Sequence, residues 1–255
     1  MTALTLASTS RAEDAGYLAL ADVARVAGRL NADYRLIGGL SVSPLAATYR
    51  ITDVPIRETA DADLGARYEV VGNELLVGLL SELGYRRPGA SNRFVRTLAD
   101  ETQAVIDVLA PSFTGRHRPN QQHGRLVVDE IPGLHYALAV DPVVVEIEAR
   151  LTTGERVSAT VTLPSPHAAL ILKLLSWQSR LAAKDAVDIW RTLAVAHAAG
   201  VGPTDWRGSG VHRDAAAVLA QFTAINGLGL RQISSNRSTQ TRVRALAGAV
   251  GPRTR

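Results

Sequence analysis

The chain has 255 residues, no cysteine and a formal net charge of +4 at pH 7. The absence of cysteine excludes disulfides, thiolate zinc sites and cysteine nucleophiles, and we expect a protein of the reducing cytoplasm. No apolar run reaches the roughly 18 residues of a membrane span, and the N-terminus lacks the order of basic and then apolar residues that marks a signal peptide. We therefore expect no membrane partner, while the small positive excess permits an anionic partner such as a nucleotide or RNA.

The first predicted elements are a helix and a short strand. Residues 1–13 are mostly small and polar, which predicts a frayed segment. Residues 14–31 carry apolar side chains at helical spacing and predict an amphipathic helix. The apolar run that begins at Tyr34 predicts a strand that leads into a pair of glycines.

Gly38 and Gly39 end this strand, and Ser41 follows them where a helix is expected to begin. Glycines at a strand-to-helix turn let the backbone approach a ligand closely, and amides at such a turn can hold phosphate. A simple tight turn would use the same residues, so both interpretations stay open at this point.

A pair of aspartates, Asp61 and Asp63, lies in a run that predicts the next strand. Successive side chains of a strand point to opposite faces, so these two share one face. Two carboxylates this close repel each other, and a divalent cation or a shared proton relieves the repulsion. Oxygen ligands favour magnesium or manganese. The same pattern also occurs in ordinary surface turns.

Asp107 lies in the middle of the apolar run 104–110, which predicts another strand. Ionised carboxylates are seldom buried unless they are paired or bind a metal. Asp107 is explained if this strand lies beside the strand of the aspartate pair, or if it faces solvent on an edge strand.

The next region is predicted to be rich in strands. Residues 126–163 follow a strand-like pattern, including residues 137–140. His117 and His123 precede it, without a third ligand at metal spacing, and we expect them to be solvated.

One long helix is predicted from His167 to about Ala198. At 100° per residue, one stripe of this helix is polar and the opposite face is apolar. The stripe contains Lys173, Trp177, Arg180, Lys184 and Asp188. It is either a line of cations along a functional cleft or a solvated face with an ordinary ion pair between residues four apart.

Four segments, in this order, resemble motifs of the nucleotidyltransferase superfamily that includes DNA polymerase β, and within it the AbiEii/AbiGii-type toxins of bacterial toxin–antitoxin systems. Leu36–Ser41 resembles the family's strand, Gly-Gly turn and helix. Arg57–Asp63 resembles Arg-x-Thr-x-Asp-hydrophobic-Asp, and Val105–Leu109 resembles the strand of the third acid. Lys173–Ile189 resembles the helical Lys…Lys-Asp-x-x-Asp.

The resemblance implies that the protein is an enzyme that transfers a nucleoside monophosphate from an NTP to an acceptor. The implied ligands of magnesium or manganese, and the catalytic residues, are Asp61, Asp63 and Asp107, of which Asp107 could also accept the proton of the nucleophile. The implied nucleotide-binding residues are Gly38, Gly39, Ser41, Lys173, Lys184 and Asp188, with Lys173 as the main cation for the triphosphate.

The resemblance also implies an α+β fold, a mixed twisted sheet flanked by helices. It places a catalytic domain over residues 14–165 and a helical domain over residues 166–255. The acceptor would be tRNA or a protein, and a cognate antitoxin would be a partner. Two alternatives are an enzyme that modifies a small molecule such as an antibiotic, and a catalytically degenerate fold that binds a partner protein.

Overall fold

The computed structural model describes residues 2–55, 57–208 and 210–253, and it combines helices with two sheets. The strands are β1 (Thr2–Ala7), β2 (Tyr34–Ile37), β3 (Asp61–Ala66), β4 (Arg93–Thr97), β5 (Gln103–Pro111), β6 (Arg118–His123), β7 (Leu126–Ile131), β8 (Val143–Arg150) and β9 (Arg156–Leu163). The helices are α1 (Arg11–Leu30), α2 (Val42–Thr48), α3 (Tyr68–Val71), α4 (Glu74–Glu82), α5 (Leu134–Ala139), α6 (Pro166–Arg180), α7 (Ala183–Ala198), α8 (Val211–Phe222), α9 (Leu228–Ile233) and α10 (Arg237–Val250), with a 3₁₀ helix at Pro203–Trp206. Among these residues, none of the helices is both long and apolar enough to cross a bilayer. The predicted α+β class, with a mixed sheet flanked by helices, is confirmed.

The larger sheet has the strand order β2-β3-β5-β7-β6, and β4 also pairs with β5. Strands β3, β5 and β7 run parallel to one another, whereas β2, β4 and β6 are antiparallel to their neighbours. On one edge of β5, the partner is β4 as far as Asp107 and becomes β7 from Leu109 onward. Asp107 therefore lies where the neighbour of the central strand changes.

Helix α1 covers one face of this sheet. Apolar side chains of α1 share a core cluster with the inward side chains of β3 and β5, which are Ala62, Leu64, Ala66, Ile106, Val108 and Ala110. Because side chains alternate along a strand, the odd-numbered residues Asp61, Asp63 and Asp107 face the other side of the sheet. The apolar packing under α1 thereby fixes which face carries the acids.

A second core cluster belongs to the C-terminal helices. It includes Trp177 of α6, Trp190 of α7 and Phe222 of α8, and the rings of Trp177 and Phe222 meet edge to face at 5.1 Å. The predicted division into two domains at residue 165 stays a prediction.

The N-terminal segment is ordered, so the expectation of a frayed segment is wrong for the described residues. Strand β1 pairs in parallel with β8, and a smaller sheet has the order β1-β8-β9. Leu4 and Leu6 alternate with polar residues and pack against the main core cluster. Alternation with period two suits a half-buried edge strand, and this outweighs the general mobility of chain ends.

The strand predicted at residues 137–140 is also wrong, because helix α5 occupies most of it. Gly133 precedes α5 with a φ of 85°, a conformation that favours glycine. Leu134, Ala137 and Leu138 then recur at helical spacing and are buried against α6. Residues 137–140 alone fit a strand equally well, and the helical spacing becomes visible only when Leu134 is included.

The single long helix predicted over residues 167–198 is wrong, because the chain breaks into α6 and α7. Leu181 lies between them in the left-handed region, with a φ of 51°, and its N–H donates to the Trp177 carbonyl at 2.7 Å. An uninterrupted helix would be about 48 Å long, longer than a small domain is wide. The break lets both helices bury apolar faces in one cluster, and it places Trp177 in the core and not in a polar stripe.

The junction between α5 and the C-terminal helices contains a buried histidine, His167. Its Nδ1 lies 3.2 Å from the Tyr136 hydroxyl, its ring stacks on that of His212 and it meets the edge of Trp206. Burial, reinforced by nearby His212, lowers the pKa of His167 to about 4. The ring is therefore neutral in the folded protein at neutral pH.

We expect His167 to make the fold acid-sensitive. Its pKa in the folded state lies below its ordinary value near 6.5, so its contribution to stability is complete above pH 6.5 and is lost as the pH falls toward 4. The loss should be about 3 kcal/mol, at 1.36 kcal/mol per pKa unit. The difference in melting temperature between wild type and His167→Gln should shrink from pH 7 to pH 4. The exposed His197 provides the control, and a His197→Gln difference with the same pH dependence would contradict this assignment.

Candidate active site

Three acidic side chains meet on the sheet face opposite α1. Asp61 and Asp63 lie on β3, and Asp107 lies on the parallel neighbour β5. In the register of this pair, Asp63 lies directly beside Asp107, and Asp61 lies beside Val105. The structure thus brings Asp107 to the pair of Asp61 and Asp63, from which more than forty residues of sequence separate it.

A guanidinium group, that of Arg93, neutralises two of these acids. Its Nε and Nη2 donate to the two carboxylate oxygens of Asp107 at 2.9 and 2.7 Å, and Nη2 lies 3.5 Å from Asp61. Arg93 is the β4 residue that pairs with Asp107 across the antiparallel ladder. Asp107 holds the pKa of Arg93 above its ordinary value. The position of Arg93 at these acids could not be predicted from the sequence, because only the strand register places its side chain over them.

The remaining acid of the cluster, Asp63, lies against the glycine turn. A Cβ built on Gly38 would lie 1.6 Å from Oδ2 of Asp63, and the φ of Gly38 is 73°. Burial, together with the charges of Asp107 and Asp61, raises the pKa of Asp63 to about 7, although Lys173 acts in the opposite direction. Only glycine fits beside this carboxylate, which accounts for the first glycine of the pair.

A second charge cluster is centred on Asp188 of α7. This carboxylate is fully buried, and it accepts from Lys173 at 2.7 Å and from Nε and Nη2 of Arg57 at 3.0 Å each. Arg191 lies 3.9 Å away. Burial opposes ionisation of Asp188, but Lys173 and Arg57 outweigh it and lower its pKa. The side chain therefore remains a carboxylate that fixes a lysine and an arginine.

The two clusters line one cavity of about 700 Å³. Asp61, Asp63 and Asp107 form part of its wall, and Lys173 lines it as well. Lys184 reaches it from the exposed start of α7. Cavities of about 300–1,000 Å³ hold small-molecule ligands and cofactors.

The remaining predicted site residues differ in position. Gly38 and Gly39 line the cavity, and a Cβ on Gly39 would meet the guanidinium of Arg57 at 2.0 Å. Ser41 is buried and does not line the cavity; its hydroxyl donates to the Gly38 carbonyl at 3.0 Å. Ser41 thus supports the glycine turn from behind. Asp188 likewise lies behind the wall, where it holds Lys173 and Arg57 in place.

The cavity wall also contains residues that were not predicted as site residues. His117 is exposed, as expected, and it also lines the cavity and contacts Asp129, with 3.3 Å between Nε2 and Oδ2. Arg180 also lines the cavity and forms a two-pronged ion pair with Asp185 at 2.9 and 3.1 Å. In the sequence, Asp129 stands within an apolar run, as Asp107 does, and that pattern was the available signal.

The acidic cluster suits a divalent cation by its chemistry. In the arrangement seen, no group of three or more His, Cys, Asp or Glu side chains among the described residues is positioned to hold a metal ion. One nitrogen of Arg93, however, is shared by Asp107 and Asp61, and the pKa of Asp63 is raised by its acidic neighbours. These carboxylates already share one cation, the guanidinium, and magnesium prefers such oxygen ligands. By their chemistry these oxygen donors therefore fit a divalent cation, at the position where Arg93 lies in this structure.

Comparison with known proteins supports the assignment of the fold. The structure is similar to the crystal structure of an antigenic nucleotidyltransferase-like protein from Paracoccidioides brasiliensis, with a TM-score of 0.52 and 16% sequence identity. The likeness covers 93% of this chain and 94% of the other. No protein-family model matches the chain, and no curated protein sequence matches it. The chain thus has a nucleotidyltransferase-like fold.

We expect Asp63→Asn to stabilise the metal-free protein at high pH. The pKa of Asp63 in the folded state lies above its ordinary value, so the penalty of its ionisation is absent below about pH 4 and complete above about pH 7. Allowing for solvent screening, the variant should gain about 2 kcal/mol relative to wild type between pH 5 and pH 8. Urea unfolding at both pH values with a chelator measures this gain, and Glu146→Gln at an exposed position of β8 is the control. A gain that does not change with pH would contradict the assignment.

Proposed function

We propose that this protein transfers a nucleoside monophosphate from an NTP to an acceptor. The observation that supports this most directly is the cavity itself, in which three carboxylates on adjacent strands face Lys173 and Lys184. A triphosphate needs both kinds of charge, because cations neutralise its oxygens while carboxylates hold the metal that accompanies it. The nucleotidyltransferase-like fold agrees with this assignment.

Asp61, Asp63 and Asp107 are the proposed ligands of magnesium or manganese. Such an ion, when bound, supplies charge neutralisation at the α-phosphate and activates the attacking hydroxyl. The carboxylates would exchange the guanidinium of Arg93 for this ion, and Arg93 would then be free to contact phosphate, for which its planar fork is suited.

Lys184 and Lys173 are the proposed cations for the β- and γ-phosphates. Lys184 is exposed at the cavity and can bind without breaking a buried ion pair. Lys173 is held by Asp188, so its ammonium group has a fixed position before any ligand arrives. Gly38 and Gly39 complete this wall, where a larger side chain would displace Asp63 or Arg57.

We further propose that the acceptor is tRNA or a protein, and that the protein is the toxin of a toxin–antitoxin pair. The four sequence motifs support this branch, and exposed arginines such as Arg86 and Arg116 could contact an RNA backbone. The alternative is a protein-binding fold without catalysis. One contact favours it: Arg93 engages both oxygens of Asp107 and so occupies the place where a metal would bind.

Asp61→Asn should abolish transfer and leave the fold intact. Loss of a metal ligand removes several kcal/mol of charge stabilisation, so the rate should fall by about two orders of magnitude or more. The assay incubates each α-labelled NTP with magnesium and either total RNA, cell lysate or a panel of hydroxylated antibiotics, and asks which fraction becomes labelled. Glu146→Gln, a carboxylate outside the cavity, is the control. Equal labelling by wild type and Asp61→Asn would refute the metal assignment, and no labelling by wild type would favour the protein-binding alternative.

Lys184→Ala and Lys173→Ala should each weaken NTP binding about tenfold or more, because each removes a charge-assisted contact of about 1.5–3 kcal/mol. Lys184→Ala should leave the melting temperature unchanged. Lys173→Ala should also lower it, because Asp188 loses a partner in a fully buried ion pair. Calorimetry with NTP and magnesium measures the affinities, and Arg244→Ala, an exposed cation outside the cavity, is the control. Unchanged affinity in both lysine variants would remove them from the site.

A further inference from the structure

A histidine–carboxylate pair lies on the cavity wall beside the acidic cluster. His117 and Asp129 both line the cavity, and Nε2 of His117 lies 3.3 Å from Oδ2 of Asp129. The other carboxylate oxygen of Asp129 accepts the backbone N–H of Asn120 at 3.0 Å. The carboxylate is thereby held at both oxygens, and one of them orients the imidazole.

The hairpin of β6 and β7 aims this pair into the cavity. The register of the two strands shifts between Arg118 and Gln121, and Asn120 has a φ of 56°. An irregularity of this kind bends a strand locally and redirects the neighbouring side chains. His117, which immediately precedes β6, is consequently turned back over Asp129 on the adjacent strand.

The sheet also determines how close this pair lies to the acids. Leu109 of β5 is the parallel partner of Asp129, so the two side chains share one face. Asp107 is two residues before Leu109 and faces the same way. Neighbouring strands lie about 4.8 Å apart and rise about 3.3 Å per residue, so the Cα atoms of Asp129 and Asp107 are separated by roughly 8 Å.

The contact with Asp129 leaves His117 equipped to accept a proton. Because a carboxylate only accepts hydrogen bonds, Nε2 carries the N–H, and the lone pair of the neutral ring is on Nδ1. Asp107, the alternative proton acceptor, is one of the proposed metal ligands, so its carboxylate would be engaged by the ion during transfer, whereas His117 lies outside that set.

We propose that His117 is the general base that activates an acceptor hydroxyl, and that Asp129 is its positioning residue. This inference rests on the proposed nucleotide transfer. The acceptor O–H bond breaks and its proton passes to Nδ1. The oxygen forms a bond to the α-phosphorus, and pyrophosphate leaves with the electron pair of the bond that breaks. The acceptor of the reaction is therefore a hydroxyl, whether it belongs to RNA, a protein or a small molecule.

The same hairpin contains a second pair that serves as a matched control. His123 lies 3.0 Å from Glu130, with its Nε2 on Oε1, and Glu130 also receives Arg118 at 3.1 Å. Glu130 neighbours Asp129 on β7, so it faces the opposite side, and neither His123 nor Glu130 lines the cavity. Substitution of His123 perturbs the hairpin without touching the cavity wall.

The test compares His117→Gln with His123→Gln at saturating NTP and magnesium, with the total RNA, lysate or antibiotic fraction that wild type labels. General base catalysis contributes 10²–10⁴-fold, so His117→Gln should slow transfer by about 10²-fold or more. NTP affinity should be unchanged, and His123→Gln should stay within about threefold of wild type.

Asp129→Asn should slow transfer less than His117→Gln does. Adding it to His117→Gln should cause little further loss, because the two residues act as a unit. Added imidazole should restore part of the activity of His117→Ala.

Each contrary result is distinct. If wild type transfers and His117→Gln transfers equally fast, or if His123→Gln is as slow as His117→Gln, the general base is refuted and the proposed function stands. Lost NTP affinity in His117→Gln, or no rescue by imidazole, would assign His117 a binding or structural role instead. If wild type labels nothing, the proposed function fails and this inference fails with it.

Discussion

The buried carboxylate of Asp188 is the contact on which the arrangement of the cavity depends. It is fully shielded from solvent, and an isolated charge in such a place is strongly unfavourable. Lys173 and Arg57 compensate it directly. These partners come from α6 and from the loop before β3, so one ion cluster connects both walls of the cavity. Removal of either cation would leave a buried charge without its partner, which is far more costly than the loss of a surface ion pair.

The acidic cluster differs from the Asp188 cluster, because its carboxylates carry like charges and repel one another. Asp63 lies beside Asp107 and near Asp61, and its pKa is raised to about 7. Arg93 relieves the repulsion at Asp107 and Asp61 in the protein alone. The charge pattern therefore favours a cation at this position, and in this structure that cation is the guanidinium of Arg93.

A single face of the larger sheet carries the aspartates that its strands contribute to the cavity wall. The alternation of β3, β5 and β7 places apolar side chains toward α1 and leaves Asp61, Asp63, Asp107 and Asp129 on the other side. In the parallel register, Asp63 and Asp107 lie at the same height, Asp61 lies two residues before this level and Asp129 two residues after it. Motifs that are far apart along the chain therefore lie on neighbouring strands of one sheet.

The sequence by itself determined the local features of this protein. Period-two alternation required Asp61 and Asp63 to share a face, and the apolar strands around Asp107 and the glycine turn were evident without coordinates. The tertiary structure decided which side chains meet: the break at Leu181 brings Lys173 to Asp188, which in one helix would be about 22 Å apart. Strand register places Arg93 over Asp107, and the hairpin turns His117 onto Asp129. Periodicity is set by each residue and its near neighbours, whereas register and helix breaks depend on packing between segments that are distant along the chain.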